Sequence, residues 1–267
     1  MMKRSLWTLL LIVSVAGMAR ANEDPFVGKW KLNPAKSKLT DVMKVTAAGD
    51  KKFTFDLGGG VETIVADGTD QPGVFGTTLA VTDMKHNTWQ VVRKRDGHTL
   101  LTGIWKLSDD GNTLTDSFTG NRPDGSKTSL DYIYKRKSGG DGFAGTWESV
   151  SEHVNSVFEL QIQPFESDGL SIVNVAQDAA KNLKFDGKDY PSVGPNVTPG
   201  SVSAAHRANP TTIEVTDKIK DEFVGTEEVK VSKDQKVLTM TVRSAGQSKP
   251  NVLVFEREEQ GGTGGGN

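Results

Sequence analysis

Three short stretches of the sequence carry aromatic and charged side chains at every second position. Trp89, Val91 and Arg93 form one set, Gly103, Trp105 and Leu107 a second, and Leu114, Asp116 and Phe118 a third. Alternate residues of an extended strand share a face, so each set points one way. If these faces turn inward, Trp89, Arg93, Trp105, Asp116 and Phe118 make an aromatic-lined cup with an arginine and an aspartate in its wall. Apolar walls with a few polar groups that fix orientation are the make-up of a small-molecule pocket. The alternative is that Arg93 and Asp116 pair with each other, or that one lies near a rim in water, and then there is no site.

The remaining chemistry-bearing residues assemble into nothing specific. His86, His98, His153 and His206 are scattered at no metal-ligand spacing and read as surface or loop residues. Asp109-Asp110-Gly111-Asn112 lacks the spacing and closing glutamate of a calcium loop and reads as a hairpin turn. Gly58-Gly59-Gly60 lacks the helix and lysine of a phosphate loop and reads as a flexible hairpin. Serines are plentiful, yet no Gly-x-Ser-x-Gly elbow occurs. With no cysteine in 267 residues, disulfides, thiolate metal sites and cysteine nucleophiles are excluded. No catalytic residue, metal or cofactor is expected, since no nucleophile, base and orienting group can be assembled.

The elements that must position these residues are strands. Phe158, Leu160 and Ile162 alternate with Glu159, Gln161 and Gln163 in the manner of a half-buried strand. Asp67-Gly68, Asp96-Gly97, Asp110-Gly111, Asp168-Gly169 and Asp186-Gly187 supply turns at hairpin spacing. No segment has helical periodicity; Asp178 to Asn182 allow at most one turn.

The chain also repeats itself. Phe26-Val27-Gly28-Lys29-Trp30 returns as Phe143-Ala144-Gly145-Thr146-Trp147, and Ala66-Asp67-Gly68 as Phe185-Asp186-Gly187. Ser108–Thr115 returns as Ser232–Thr239, and Tyr134-Lys135-Arg136 as Phe255-Glu256-Arg257. Four matches in one order mark a tandem duplication. The expected organisation is a first unit over 22–137, a linker at 138–140, a second unit over 141–258 and a disordered Gly-rich tail at 259–267. Eight to ten antiparallel strands per unit must close or stack. An all-β fold of two up-and-down barrels is expected, with two β-sandwiches as the alternative.

Lys3 and Arg4, the apolar run Leu6 to Ala16 and Ala19-Arg20-Ala21 read as a signal peptide over 1–21. Its removal takes away three basic and no acidic residues, moving the formal net charge from −2 to −5. Periplasmic or secreted localisation is expected. A mildly acidic, mixed surface gives no footprint for nucleic acid, and no later segment is apolar enough for integral membrane association.

Gly28-x-Trp30 with Arg136, and Gly145-x-Trp147 with Arg257, resemble the calycin signature of lipocalin-like barrels. Asp24 to Lys38 also resembles small exported lipocalin-like proteins of environmental bacteria. The second copy lacks the Asn33-Pro34-x-Lys36-Ser37 continuation, and neither copy has the disulfides common in secreted lipocalins. The resemblance implies that each copy closes by laying its last-strand arginine over its own first-strand tryptophan, a cation–π contact worth about 0.5–2 kcal/mol. Gly28 and Gly145 would leave room for the crossing.

By the repeat, Trp89, Trp105, Asp116 and Phe118 correspond to Ile213, Val229, Met240 and Val242, an aliphatic set without a polar handle. The expectation is an exported non-enzymatic protein binding a small apolar or aromatic ligand in the first barrel. The alternative is a structural or interaction module with filled barrels and no ligand.

Overall fold

A computed structural model describes residues 24–57, 60–122, 125–154, 158–247 and 249–258, leaving aside the side chains of Glu152 and Val154. The expected signal peptide and Gly-rich tail lie outside the described residues. The first copy supplies β1 (Gly28–Leu32), β2 (Val42–Gly49), β3 (Lys52–Asp56), β4 (Val61–Val65), β5 (Gln71–Pro72), β6 (Thr78–Asp83), β7 (Thr88–Arg95), β8 (His98–Leu107), β9 (Thr113–Asn121) and β10 (Lys127–Ser138). The second supplies β11 (Gly145–Val154), β12 (Glu159–Phe165), β13 (Gly169–Asn174), β14 (Ala179–Leu183), β15 (Asp189–Val193), β16 (Ser201–Asn209), β17 (Thr212–Ile219), β18 (Glu222–Val231), β19 (Val237–Ser244) and β20 (Asn251–Arg257).

The fold is all-β, and every strand pairing is antiparallel. Two-residue alternation directs the packing as the sequence implies. On β17, Ile213 and Val215 are buried while Glu214 between them is exposed. The one allowance for helix is displaced: a 3-10 turn occupies Val175–Gln177, and Asp178, at φ 46, ends it before β14 begins.

The sheets do not follow the copies. One is a closed barrel in the order β1-β12-β13-β14-β15-β16-β17-β18-β19-β20, called the second barrel below. The other ten strands run β4-β3-β2-β11-β10-β9-β8-β7-β6-β5 and form a nearly closed first barrel. At its seam the Gln71 side chain replaces a ladder: Val65 N–H donates to Gln71 Oε1 at 2.9 Å, and Gln71 Nε2 donates to the Val65 carbonyl at 2.8 Å. The opening strands β1 and β11 have changed places, so the units read over 22–137 and 141–258 are units of repetition, not of sheet assembly.

Closure therefore pairs residues across the copies. Arg257 lies 4.1 Å from the Trp30 ring centre, and Arg136 lies 4.2 Å from that of Trp147. In the ladders Trp30 faces Arg257 and Trp147 faces Arg136. This corrects the expectation that each arginine covers the tryptophan of its own copy. The reason is connectivity. Only a short link separates the end of β10 at Ser138 from the start of β11 at Gly145, and closing so short a loop costs little entropy. Strand β11 folds back on β10 and completes the first barrel, which leaves β1 to fill the matching gap between β12 and β20.

Both closures use the same bonds. Trp30 Nε1 donates to the Phe26 carbonyl and Trp147 Nε1 to the Phe143 carbonyl, each at 2.9 Å. Arg257 donates to the carbonyls of Gln235 at 2.5 Å and of Val27 and Pro25 at 2.6 Å, and Arg136 to the equivalent carbonyls of Gly111 at 2.8 Å, of Gly142 at 2.6 Å and of Ala144. Gly28 (φ +147) and Gly145 (φ +152) lie under the guanidinium groups, where a Cβ would collide with an arginine nitrogen. Glycine is needed for both reasons.

The segment found only in the first copy straps the exchanged strand down. Asn33 Nδ2 and Lys36 Nζ both donate to Glu256 at 2.9 Å, and Val254 N–H donates to Ser37 Oγ at 2.9 Å. Lys38 and Val252 exchange backbone hydrogen bonds of 2.7 and 2.8 Å. The Asn33-Pro34-x-Lys36-Ser37 stretch thus belongs to β20 of the other copy, which accounts for its absence after Trp147.

Candidate functional site

The first-barrel residues singled out by alternation do turn inward. Trp89, Trp105 and Asp116 are buried, and Phe118 is half-buried. The aromatics pack on one another. Trp89 stacks on Phe143 with ring centres 4.0 Å apart, meets Phe53 edge-on at 4.8 Å and lies 6.4 Å from Trp105, which in turn lies 6.1 Å from Phe55. These rings belong to one hydrophobic core cluster.

Arg93 and Asp116 do not pair. The Arg93 guanidinium is bound to the buried Glu62 through both nitrogens and donates to Thr77 Oγ1 at 2.8 Å; Glu62 also accepts from the Val74 N–H at 3.0 Å. Asp116 sits against Trp105 beneath Gly103, and its Oδ1 is buried without a hydrogen-bond partner among the described residues. Burial pushes its carboxyl up to about 7; the Trp105 indole opposes this, while Asp41 and Asp131 add to it. Asp41 is itself raised by burial although Tyr134 Oη donates to it at 2.6 Å. The structure thus brings Trp89, Trp105 and Asp116 together and takes Arg93 elsewhere.

All four histidines are exposed. His206 Nε2 lies 3.0 Å from Glu214 on the outer face. Asp110 closes its turn by accepting from Ser108 Oγ at 2.6 Å and from the Asn112 N–H at 3.0 Å, as a hairpin requires. Among the described residues no group of three or more His, Asp or Glu is placed to hold a metal ion.

A pocket opens in the second barrel. A cavity of about 460 Å³ is walled by Leu160, Ile172, Met240, Leu253 and Phe255, together with a buried charge cluster. Lys181 Nζ on β14 lies 2.8 Å from Asp217 Oδ1 on β17 and 2.8 Å from Glu227 Oε1 on β18. Ser203 on β16 donates to Asp217 Oδ1 at 2.6 Å. Side-chain exposure is 22%, 18% and 14% for Lys181, Asp217 and Glu227, so the cluster is largely withdrawn from water. Burial pulls the Lys181 ammonium down, but Glu227 and Asp217 together outweigh it and hold it above the usual lysine value. Burial raises the Glu227 carboxyl more than Lys181 lowers it.

This cluster overturns the view of the second copy as lacking a polar handle. The shift that carries Ser108 onto Ser232 carries Arg93 onto Asp217 and Gly103 onto Glu227. The shift that carries Asp67 onto Asp186 carries Glu62 onto Lys181. The two barrels therefore hold an ion pair at one equivalent position with the charges reversed, and the second adds a carboxylate. Following the repeat from Arg93, and not only from its aromatic neighbours, reveals these residues in the sequence.

The barrels touch at the rim of this cavity. Arg95 of β7 donates to the carbonyls of Asn196 and Val197 at 3.3 and 3.4 Å and to Thr198 Oγ1 at 3.1 Å. Val197 and Thr198 line the cavity. No helix among the described residues is long and apolar enough to cross a membrane.

The sequence matches no family model and no curated protein. A solved structure described as an outer membrane protein of Bacteroides fragilis is 9% identical, with 87% of this chain and 97% of that one covered at a TM-score of 0.18. A likeness at that score carries no argument about fold or function.

Proposed function

We propose that this is an exported, non-enzymatic binding protein that holds one small apolar ligand in the second barrel. The observation that carries this reading is the cavity of about 460 Å³, whose lining combines apolar residues with the Lys181–Asp217–Glu227 cluster and a few other polar side chains, within the range of about 300–1,000 Å³ typical of ligand pockets. Export rests on the signal-like residues 1–21. The lipocalin-like resemblance agrees with a ligand-holding barrel but does not identify the ligand.

Two features bear on the other possibilities. Lys181 stays protonated between its carboxylates, which disfavours it as an amine nucleophile. The outer faces of the second barrel carry Glu159, Gln161 and Gln163 on β12 and Glu228 and Lys230 on β18, while Leu160 and Ile162 on β12 and Val229 and Val231 on β18 are buried. That is the reverse of a lipid-facing barrel.

The test is Nile red titration and native mass spectrometry of the purified chain against a panel of lipophiles. One bound molecule per chain is expected, and Leu253→Trp should abolish binding while the fold is kept. Absence of any bound species would leave the alternative of a filled structural module.

A further inference from the structure

Resting on that reading, we infer that the ligand of the second barrel is a lipophilic amine, its cationic nitrogen docking on Glu227 and its apolar body lying along Ile172, Met240, Leu253 and Phe255. Four charged side chains line the cavity: Lys181, Asp217, Lys218 and Glu227. Lys218 is neutralised on its outer side by both oxygens of Asp189, at 2.8 and 3.1 Å. Lys181 is shared between two carboxylates. With all of these groups ionised one negative charge is left over, and burial together with Asp217 raises the Glu227 carboxyl, so before an amine binds a proton stands where an ammonium would serve.

The geometry places that surplus on Glu227. Asp217 accepts from both Lys181 and Ser203, at 2.9 and 2.6 Å. Glu227 accepts from Lys181 through Oε1 at 2.8 Å, and its carboxyl also meets that of Asp217, a contact that favours the protonated form. A second donor at the other oxygen would complete its shell, and charge-assisted bonds of this kind are about twice as strong as neutral ones. An incoming ammonium supplies both the donor and the missing positive charge. An incoming carboxylate would bring a third anion against Asp217 and Glu227 in a site withdrawn from water, where unpaired charge is costly. A neutral alcohol can donate one hydrogen bond but leaves the charge uncompensated.

The second barrel sets this preference by sequence. Position 227 is a glutamate where the first copy has Gly103, and position 240 is Met where the first copy has Asp116. In the first barrel the extra carboxyl, Asp116, is packed against Trp105; in the second, Glu227 lines the pocket.

The experiment compares decylamine, decanol and decanoate by isothermal titration calorimetry on the purified chain near neutral pH. The amine should bind at least about tenfold more tightly than either of the others. Glu227→Gln should erase the preference while decanol binding persists. Decanol or decanoate binding as tightly as the amine overturns the inference and leaves the cavity reading intact. Failure of all three to bind overturns both. Because the preference is read on the unaltered protein, it does not depend on the folding of the variant.

Discussion

Arg257 covers the ring of Trp30 at 4.1 Å although the two residues stand near opposite ends of the described chain. The contact couples the first strand of the first copy to the last strand of the second. A large buried aromatic holds such a closure in place: Trp30 and Trp147 are both fully buried.

Truncating a buried tryptophan costs about 3–5 kcal/mol. The exchange of strands dictates where the loss falls. Trp30→Ala should destabilise the second barrel, and Trp147→Ala the first. Hydrogen exchange during denaturant titration checks this: Trp30→Ala should lower protection across 159–257 and spare β6 to β9. Loss confined to β2–β10 would show that the strands are not exchanged.

The Glu62–Arg93 pair is 4% and 13% exposed, so removing one partner leaves a buried charge and should cost about 3–5 kcal/mol. Glu62→Gln and Arg93→Met each test this. The second barrel places Lys181 and Asp217 at the same two positions, so Glu62→Lys with Arg93→Asp should recover more than half of either loss. Chemical denaturation of the parent, Glu62→Lys, Arg93→Asp and the double variant in a double-mutant cycle reads the coupling. Additive losses would argue against the equivalence.

Asp116 has its carboxyl raised by burial from 3.8 to about 7. Between those values the folded chain holds a proton that the unfolded chain has released, so stability falls as pH rises from about 4 to about 7 and is level beyond. At about 1.4 kcal/mol per pH unit, the effect is at most about 4 kcal/mol. Asp116→Asn should be more stable than the parent at pH 8 and show a shallower decline over that window. Stability curves at pH 4.5, 6 and 8 provide the comparison, and an unchanged slope would mean that Asp116 stays ionised.

Arg95 ties the cavity rim of the second barrel to the first. Arg95→Ala removes three hydrogen bonds to 196–198 and should raise amide exchange in the Gly194–Gly200 loop severalfold without lowering global stability by more than about 1–2 kcal/mol. Exchange unchanged in that loop would show that the rim is ordered by its own barrel.

Much of the fold is legible in the sequence because it is local. Alternation at Phe158–Gln163, the Asp-Gly turns and the repeated Gly-x-Trp and Arg positions each follow from short-range rules of strand and turn geometry. The site is less legible. Alternation shows that Trp89 and Trp105 face inward, but their packing against Phe53, Phe55 and Phe143 joins distant strands and one borrowed segment, so no single stretch contains it.

By itself the sequence determined an all-β duplication, the residues that close each barrel and the inward faces. It could not choose between the two possible closures, since Trp30 with Arg136 and Trp30 with Arg257 are chemically the same contact. The short link from Ser138 to Gly145 settled that choice once β10 and β11 could pair. The tertiary structure likewise decided where space remains. At matched inward positions, Leu170, Ile172, Ile213 and Val229 stand for Phe53, Phe55, Trp89 and Trp105; Leu170, Ile213 and Val229 are packed into the core while Ile172 lines the pocket, because packing between distant strands, not residue type in any one of them, decides which position borders open space.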